Sequence, residues 1–365
     1  MSEKTWPDWL PIRSNLTSLT PYGAPQIDVP VRLNTNENPF PLTEDLQDVI
    51  QEGIANTLRE LNRYPDRDAI ALRGALAQFI NHKSGTDFDL NAIWVANGSN
   101  EILQSIFLAF DGAALGFEPS YSMHPLIAKV IGKEWIQIKR DEAFKIGSSQ
   151  VTEALAHSDA KLFFITTPNN PTGTTTSLGT IEELASRAMK IGAIVIVDEA
   201  YAEFSAEPSA VTLISKYPNI LVSRTMSKAF AFAGGRLGYL IADPKVIQAM
   251  QLVRLPYHLS SLTQAAALAA LSRAATLESD VLQIRSSRDE IAAELTRLGL
   301  TVIPSDANFL LFGGFASSPQ SIWKALLDRG VLVRDVGIPG FLRVTIGSPA
   351  ENKEFLSALN EVIRR

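Results

Sequence analysis

No cysteine occurs in the 365 residues of this chain. Disulfide staples, thiolate nucleophiles and cysteine-bound zinc are thereby excluded, and a reducing, cytoplasmic setting is expected. Histidine is almost as scarce. His82, His124, His157 and His258 are the only four, and none stands in an HExxH spacing, so a metal-enzyme reading has little support. No apolar run approaches the ~18 residues of a membrane-spanning helix, and the opening MSEKTWPDWL lacks the basic-then-apolar order of a secretory signal. Positive charge is not in excess either. A net charge of −6 argues against nucleic acid as a partner, although it leaves room for a local cationic pocket. Internal repeats and low-complexity tracts are absent as well.

What the chain does have is 46% hydrophobic residues, enough for a large core and for two domains rather than one. Through the middle, short apolar runs alternate with helical patterns. KLFFIT (161–166), AIVIVDEAY (193–201) and NILVSRT (219–225) read as buried strands. Between the first two, Thr180 is placed as a helix cap with Glu183 as its capping-box partner, Ile181, Leu184, Ala185 and Ala188 share one face, and Gly192 ends the helix. Strand–helix–strand units of this length predict an α/β fold with a mostly parallel sheet covered by helices on both faces. Beyond residue 262 a long helical stretch to Gly299 leads into a smaller α/β unit, whose last helix opens with Ser348 as N-cap, Pro349 in the first turn and Glu351 closing a capping box. The expected division is an N-terminal arm (1–40) that wraps over a site without forming core, a large domain (41–262) and a small C-terminal domain (263–365).

Ligands on such sheets sit beyond the carboxyl ends of the strands, and four chemically suggestive stretches fall there. NGSNE places Gly98, Ser99 and Asn100 at a helix start near Glu101, where free amides favour an anion. TPNNPTG is a turn by composition, with Asn170 as an amide donor. Asp198 ends an apolar strand; alone it reads as a cap or ion-pair member, and its burial demands a partner in either case. Tyr201 lies three residues on. In SRTMSKAFAFAGGRLGYL (223–240), Thr225, Ser227 and Arg236 suit a phosphate, with Lys228 among them. A lone Ser-Lys pair is ordinarily surface. Beside a phosphate cradle, a carboxylate and a tyrosine, however, a lysine with a lowered pKa is a nucleophile toward an aldehyde. Tyr121, in a polar turn, can stack on a flat ring or merely pack. A planar, phosphorylated pyridine aldehyde would use every one of these groups, and that description fits pyridoxal 5′-phosphate.

With these motifs in place, the chain resembles the fold-type I pyridoxal 5′-phosphate-dependent aminotransferases, and within them the histidinol-phosphate aminotransferases. The resemblance rests on LNTNENPF (33–40), NRYPD (62–66), NGSNE (97–101), PSYSMH (119–124), TPNNPTG (167–173), VDEAYAEF (197–204), SRTMSKAF with GGRLGY (223–239) and FLRVTIG (341–347), in family order over nearly the whole chain. It implies that Lys228 binds the cofactor as a Schiff base and shuttles the Cα proton. Asp198 would hold the pyridinium proton, Asn170 and Tyr201 would bond the ring hydroxyl, and Tyr121 would stack on the ring. Gly98, Ser99, Asn100, Thr225, Ser227 and Arg236 would bind the phosphate, joined by Tyr64 from a neighbouring subunit, which implies a homodimer. Arg343, helped by Arg334, would bind a substrate anion, with Tyr22 and Asn34 at the substrate mouth. The chain departs from the family pattern at Asn100, often acidic, and at PYGAP around Tyr22, where Tyr-x-Pro-Gly is usual. The implied reaction is ping-pong transamination of histidinol phosphate with 2-oxoglutarate, giving imidazole-acetol phosphate and glutamate. An aromatic amino acid aminotransferase of the same fold is the alternative, and a non-catalytic pyridoxal-phosphate-binding regulator is a distant one, since motif-bearing sequence begins by residue 33 and no basic helix precedes it.

Overall fold

The structure is a computed structural model describing residues 6–364, with Thr276 and Leu277 described in backbone only; residues 1–5 of the expected arm lie outside it. After a 3₁₀ turn at Ser14–Leu16, the chain forms strand β1 (Val31–Arg32) and helices α1 (Glu44–Leu58) and α2 (Ile70–Ser84). It then builds a sheet from β2 (Ile93–Ala96), β3 (Ala113–Glu118), β4 (Trp135–Lys139), β5 (Ala160–Thr166), β6 (Ile194–Asp198), β7 (Ile220–Thr225) and β8 (Gly238–Ile241). Among the described residues these seven strands lie in the order β2-β8-β7-β6-β5-β3-β4, all parallel except β8, which runs antiparallel to both neighbours. The mostly parallel sheet expected from the sequence is therefore present.

Both faces of this sheet are apolar because side chains alternate and helices cover each side. Trp94, Leu162, Phe164, Ile196, Leu221 and Leu240 pack on one face, under α3 (Ser99–Ala109) and α4 (Met123–Ile131). Val95, Phe163, Ile165, Val195, Val197 and Val222 fill the other, toward α5 (Ser148–Leu155) and α6 (Leu178–Lys190). The cap of α6 differs from expectation. Ser177, in extended backbone, accepts from Thr180 N, so Thr180 lies inside the first turn, and Glu183 accepts instead from Ser148 Oγ at 2.6 Å and from Arg187. Serine fits the N-cap as well as threonine does, and the helix begins at the earlier hydroxyl.

Two helices, α7 (Pro244–Val253) and α8 (Ser261–Leu271), precede α9 (Ala274–Arg297); the long helical stretch is thus broken at Ser272 and Arg273. The C-terminal unit holds β9 (Thr301–Val302), β10 (Phe309–Gly313), α10 (Pro319–Leu327), β11 (Val331–Leu332), β12 (Phe341–Thr345) and α11 (Pro349–Ile363). Strands β9, β10 and β12 form an antiparallel sheet, and α11 carries the Ser348–Glu351 capping box read from the sequence. β1 pairs in parallel with β11, and Val31 and Leu33 are buried. The N-terminal segment therefore contributes core to the C-terminal unit, contrary to the expectation of a mere wrap, because Val31 and Leu33 alternate inward while β1 and β11 pair as a separate two-stranded sheet.

Strand register brings the functional ends together. Thr166 stands opposite Asp198, Asp198 opposite Ser223, and Gly238 opposite both Thr225 and Ala96. Gly238 lets β8 lie directly against the turn that opens α3: a Cβ there would sit 2.4 Å from Gly98 C and Ser99 N. Since those are backbone atoms, Gly238→Ala is expected to displace the turn and to lower stability by about 1–3 kcal/mol, read as a drop in the urea midpoint with an unchanged slope.

Candidate active site

The carboxyl ends of β2, β5, β6 and β7 converge on one cavity of about 230 Å³. Of the sequence-nominated residues, Tyr22, Asn34, Ser99, Asn100, Tyr121, Asn170, Asp198, Tyr201, Thr225, Ser227, Lys228, Arg236, Arg334 and Arg343 line it. Two do not. Gly98 backs the wall: a Cβ on it would lie 2.7 Å from Arg236 Nη2, so glycine admits the guanidinium to the turn. Tyr64 is 79% exposed, stacks on Tyr257 with ring centroids 4.4 Å apart, and does not line its own chain's cavity.

One group of residues forms an anion cradle. The first amides of α3 have no side-chain cap, and helix geometry leaves them without intrahelical partners. Thr225 Oγ1 lies 3.0 Å from Ser227 Oγ and accepts from Ser227 N, which holds both hydroxyls at the end of β7. Arg236, in left-handed backbone with φ 54°, donates Nη1 to Ala233 O and is exposed on its outer side.

Asp198 is 2% exposed at the end of β6. Its Oδ1 accepts from Ala200 N at 3.3 Å, and its Oδ2 lies 3.1 Å from His124 Nε2. No lysine or arginine pairs with it among the described residues. The His124 ring is itself boxed in by Tyr121, Trp135 and Phe164. Such a carboxylate is suited to hold a proton on a nitrogen that enters the cavity.

Lys228 Nζ donates to Thr35 O at 3.1 Å. Burial, followed by the positive charge of Arg343, lowers its pKa from 10.5 to about 8; Glu37 opposes the shift and Arg236 adds a smaller lowering. Arg343 donates Nη1 to Asn170 Oδ1 at 2.7 Å and Nη2 to Asn34 O at 2.8 Å, and its Nε is buried with no partner among the described residues. Burial pushes its own pKa down to about 10. Arg334, joined to Arg343 by a two-way backbone bridge, likewise keeps a buried Nη1 without a partner. Two orphaned guanidinium donors beside a lysine make a second anion site. Burial raises the pKa of Tyr121 and of Tyr201, so both phenols stay protonated at neutral pH.

The cavity meets the demands of a phosphorylated pyridine aldehyde: a phosphate cradle, an acid for the ring nitrogen, an amine of lowered pKa and an aromatic wall at Tyr121. Sequence reasoning assigned no role to four groups that belong to it. Thr35 and Asn36 were visible only as part of a polar run, Thr166 as a strand end, and His124 as one of few histidines. Each acts through partners dozens to hundreds of residues away, and only the fold reveals them.

Residues 28–359 match the sequence profile of the family described as aminotransferase class I and II. The chain belongs to that family. It is 54% identical over 353 residues to the histidinol-phosphate aminotransferase of Nocardia farcinica, covering 96% of this chain and 91% of that one. Among solved structures it is similar to the histidinol-phosphate aminotransferase from Clostridium acetobutylicum, with a TM-score of 0.82, 25% identity and coverage of 92% and 99%. It also shares the fold of the Sinorhizobium meliloti histidinol-phosphate aminotransferase solved with pyridoxal 5′-phosphate, with a TM-score of 0.85, 24% identity and coverage of 97% and 98%.

An amine titrating near pH 8 gains its lone pair as pH rises through that value. Labelling of Lys228 in the cofactor-free protein by an amine-acylating reagent, followed by peptide mass spectrometry, is expected to be half-maximal near pH 8. Labelling that follows the pH profile of surface lysines contradicts the assigned environment.

Proposed function

We propose that this chain catalyses pyridoxal 5′-phosphate-dependent transamination of histidinol phosphate with 2-oxoglutarate, giving imidazole-acetol phosphate and glutamate. The carrying observation is Lys228 in one cavity with Asp198, a phosphate cradle and two orphaned arginine donors, in a chain 54% identical to a protein of that name. When bound, the cofactor supplies an aldehyde that condenses with amines and a pyridinium ring that takes up electron density from a carbanion.

Each residue then has a definable task. Thr225, Ser227, Arg236 and the first amides of α3 hold the cofactor phosphate, and Tyr121 packs on its ring. Asp198, backed by His124, keeps a proton on the ring nitrogen. Tyr201 and Asn170 hydrogen-bond the ring oxygen. Lys228, uncharged in a useful fraction near pH 8, anchors the aldehyde carbon and carries the proton on and off Cα. Arg334 and Arg343 hold the phosphate of one substrate and a carboxylate of the other, which lets one cavity serve both half-reactions. Tyr22 and Asn34 bound the mouth.

A homodimer is part of the same proposal. In a single chain Arg236 is exposed, and Tyr64 is exposed and does not line its own cavity. The segments around Tyr64 and Tyr257, tied by their ring stack and by Arg254–Asp68 at 2.6 Å, expose Leu58, Leu61, Leu252 and Leu255. An apolar patch of this kind, rimmed by charge, suits burial against a second copy, with Tyr64 reaching the other chain's phosphate cradle. Among the described residues no helix is long and apolar enough to cross a membrane; with no cysteine in the chain, a cytoplasmic location completes the proposal.

The arginine pair favours a substrate with an anionic far end over an aromatic amino acid. Purified, cofactor-loaded protein should turn over histidinol phosphate with 2-oxoglutarate far faster than phenylalanine, and Lys228→Ala should yield no borohydride-fixed adduct. A marked preference for phenylalanine, or full adduct formation without Lys228, overturns the reading.

A further inference from the structure

Asn36 is fully enclosed, 1% exposed, in left-handed backbone with φ 56°. Its main chain and side chain are both committed. Asn36 N donates to Thr345 Oγ1 at 3.0 Å, Thr345 Oγ1 donates to Asn36 Oδ1 at 3.0 Å, and Asn308 Nδ2 donates to Asn36 O at 3.1 Å. What remains is Asn36 Nδ2, which donates to the Tyr201 hydroxyl at 3.0 Å. The orientation of this amide is dictated: reversing it would leave the buried Thr345 hydroxyl proton without an acceptor among the described residues.

The same phenol receives a second amide. Asn170 Nδ2 donates to Tyr201 OH at 3.3 Å, and its orientation is fixed because Asn170 Oδ1 accepts from Arg343, which has no acceptor to offer a reversed amide. Phe309 meets the Tyr201 ring edge-on at 5.1 Å between centroids and holds its plane. A phenol oxygen has two lone pairs and one proton. With an amide on each lone pair, its only remaining hydrogen-bonding capacity is the proton, and no acceptor for it lies among the described residues. Tyr201 lines the cavity, so the proton is left for whatever occupies it.

We propose that Asn36 is a positioning residue that aims the Tyr201 hydroxyl proton into the cavity, at the ring oxygen of the bound cofactor. This rests on the pyridoxal 5′-phosphate reading above. Without the Asn36 amide, one lone pair of Tyr201 has no donor and its O–H is free to rotate. With a carboxylate at position 36, the O–H turns away to donate to it. Because Asn36 is anchored on Thr345 of β12 and on Asn308, the C-terminal unit sets the direction of a proton whose donor lies in the turn that follows β6.

A hydrogen bond donated to the ring oxygen favours its deprotonated form and lowers the pKa at which the lysine-bound chromophore changes colour. The experiment is a spectrophotometric pH titration of the cofactor-loaded wild type, Asn36→Gly, Asn36→Asp, Tyr201→Phe and the double variant Asn36→Gly/Tyr201→Phe. Glycine and aspartate both tolerate the left-handed backbone, so the fold is retained. The expected result is an upward shift of about one pH unit, a tenfold change in the equilibrium, in both Asn36 variants. Tyr201→Phe should shift at least as far, and the double variant no further than Tyr201→Phe alone. A merely structural Asn36 would lower the unfolding temperature of the cofactor-free protein and leave the titration in place. Asn36 variants that titrate with the wild type while Tyr201→Phe is displaced overturn the proposal and spare the cofactor reading. A wild type that takes up no cofactor overturns both.

Discussion

A carboxylate at the end of a strand with no exposed face has to be neutralised. Asp198 is such a group, and among the described residues its only side-chain partner is the His124 ring at 3.1 Å. Taking an ion of this size out of water costs several kcal/mol unless a positive group or a proton compensates. The fold meets that cost by leaving Asp198 facing a cavity where a ring nitrogen can carry a proton. Under the proposed function the surrounding machinery depends on this acid: the amine of Lys228 would work beside an electron-accepting ring, and a protonated ring nitrogen makes that ring a stronger acceptor.

The same desolvation acts with opposite sign on neighbouring groups. It raises the phenols of Tyr121 and Tyr201 and lowers the amine of Lys228, where Arg343 and Arg236 add to the effect. One desolvating, cationic environment thus combines an amine of lowered pKa, two protonated phenols and unpaired guanidinium donors. Close backbone approach maintains this geometry. Gly238 presses β8 against the turn before α3, and Gly98 admits Arg236 to that turn. Behind them, Arg224 is clamped to Glu199 at 2.8 Å and to Glu203 at 3.2 Å, which ties the base of the lysine loop to the segment after Asp198.

Much of this was legible in sequence because local pattern and function coincide here. Apolar runs such as KLFFIT fixed the strands, and each ended in a polar turn carrying its functional side chain, so Asn170, Asp198 and Lys228 could be read without knowing the pairing. The capping box at Ser348 was equally local. Legibility failed where the partner was distant or the signal degenerate. Ser177 and Thr180 are equally good caps on paper. Val31 and Leu33 look like part of an arm until β11, 300 residues later, supplies the strand that β1 pairs with. Asn36 and His124 owe their importance to Tyr201 and Asp198, at separations of 165 and 74 residues, and no periodicity encodes those contacts. For the same reason Tyr64 can be placed beside exposed leucines, while the task proposed for it depends on a second copy of the chain.

The central claim concerns a proton, and nitrogen-15 magnetic resonance reports it directly. Protein loaded with pyridoxal 5′-phosphate labelled at the ring nitrogen should show the chemical shift of a protonated pyridine at neutral and mildly alkaline pH, and Asp198→Asn should show the unprotonated value. A ring nitrogen that is unprotonated in the wild type, or indifferent to Asp198, would contradict the account.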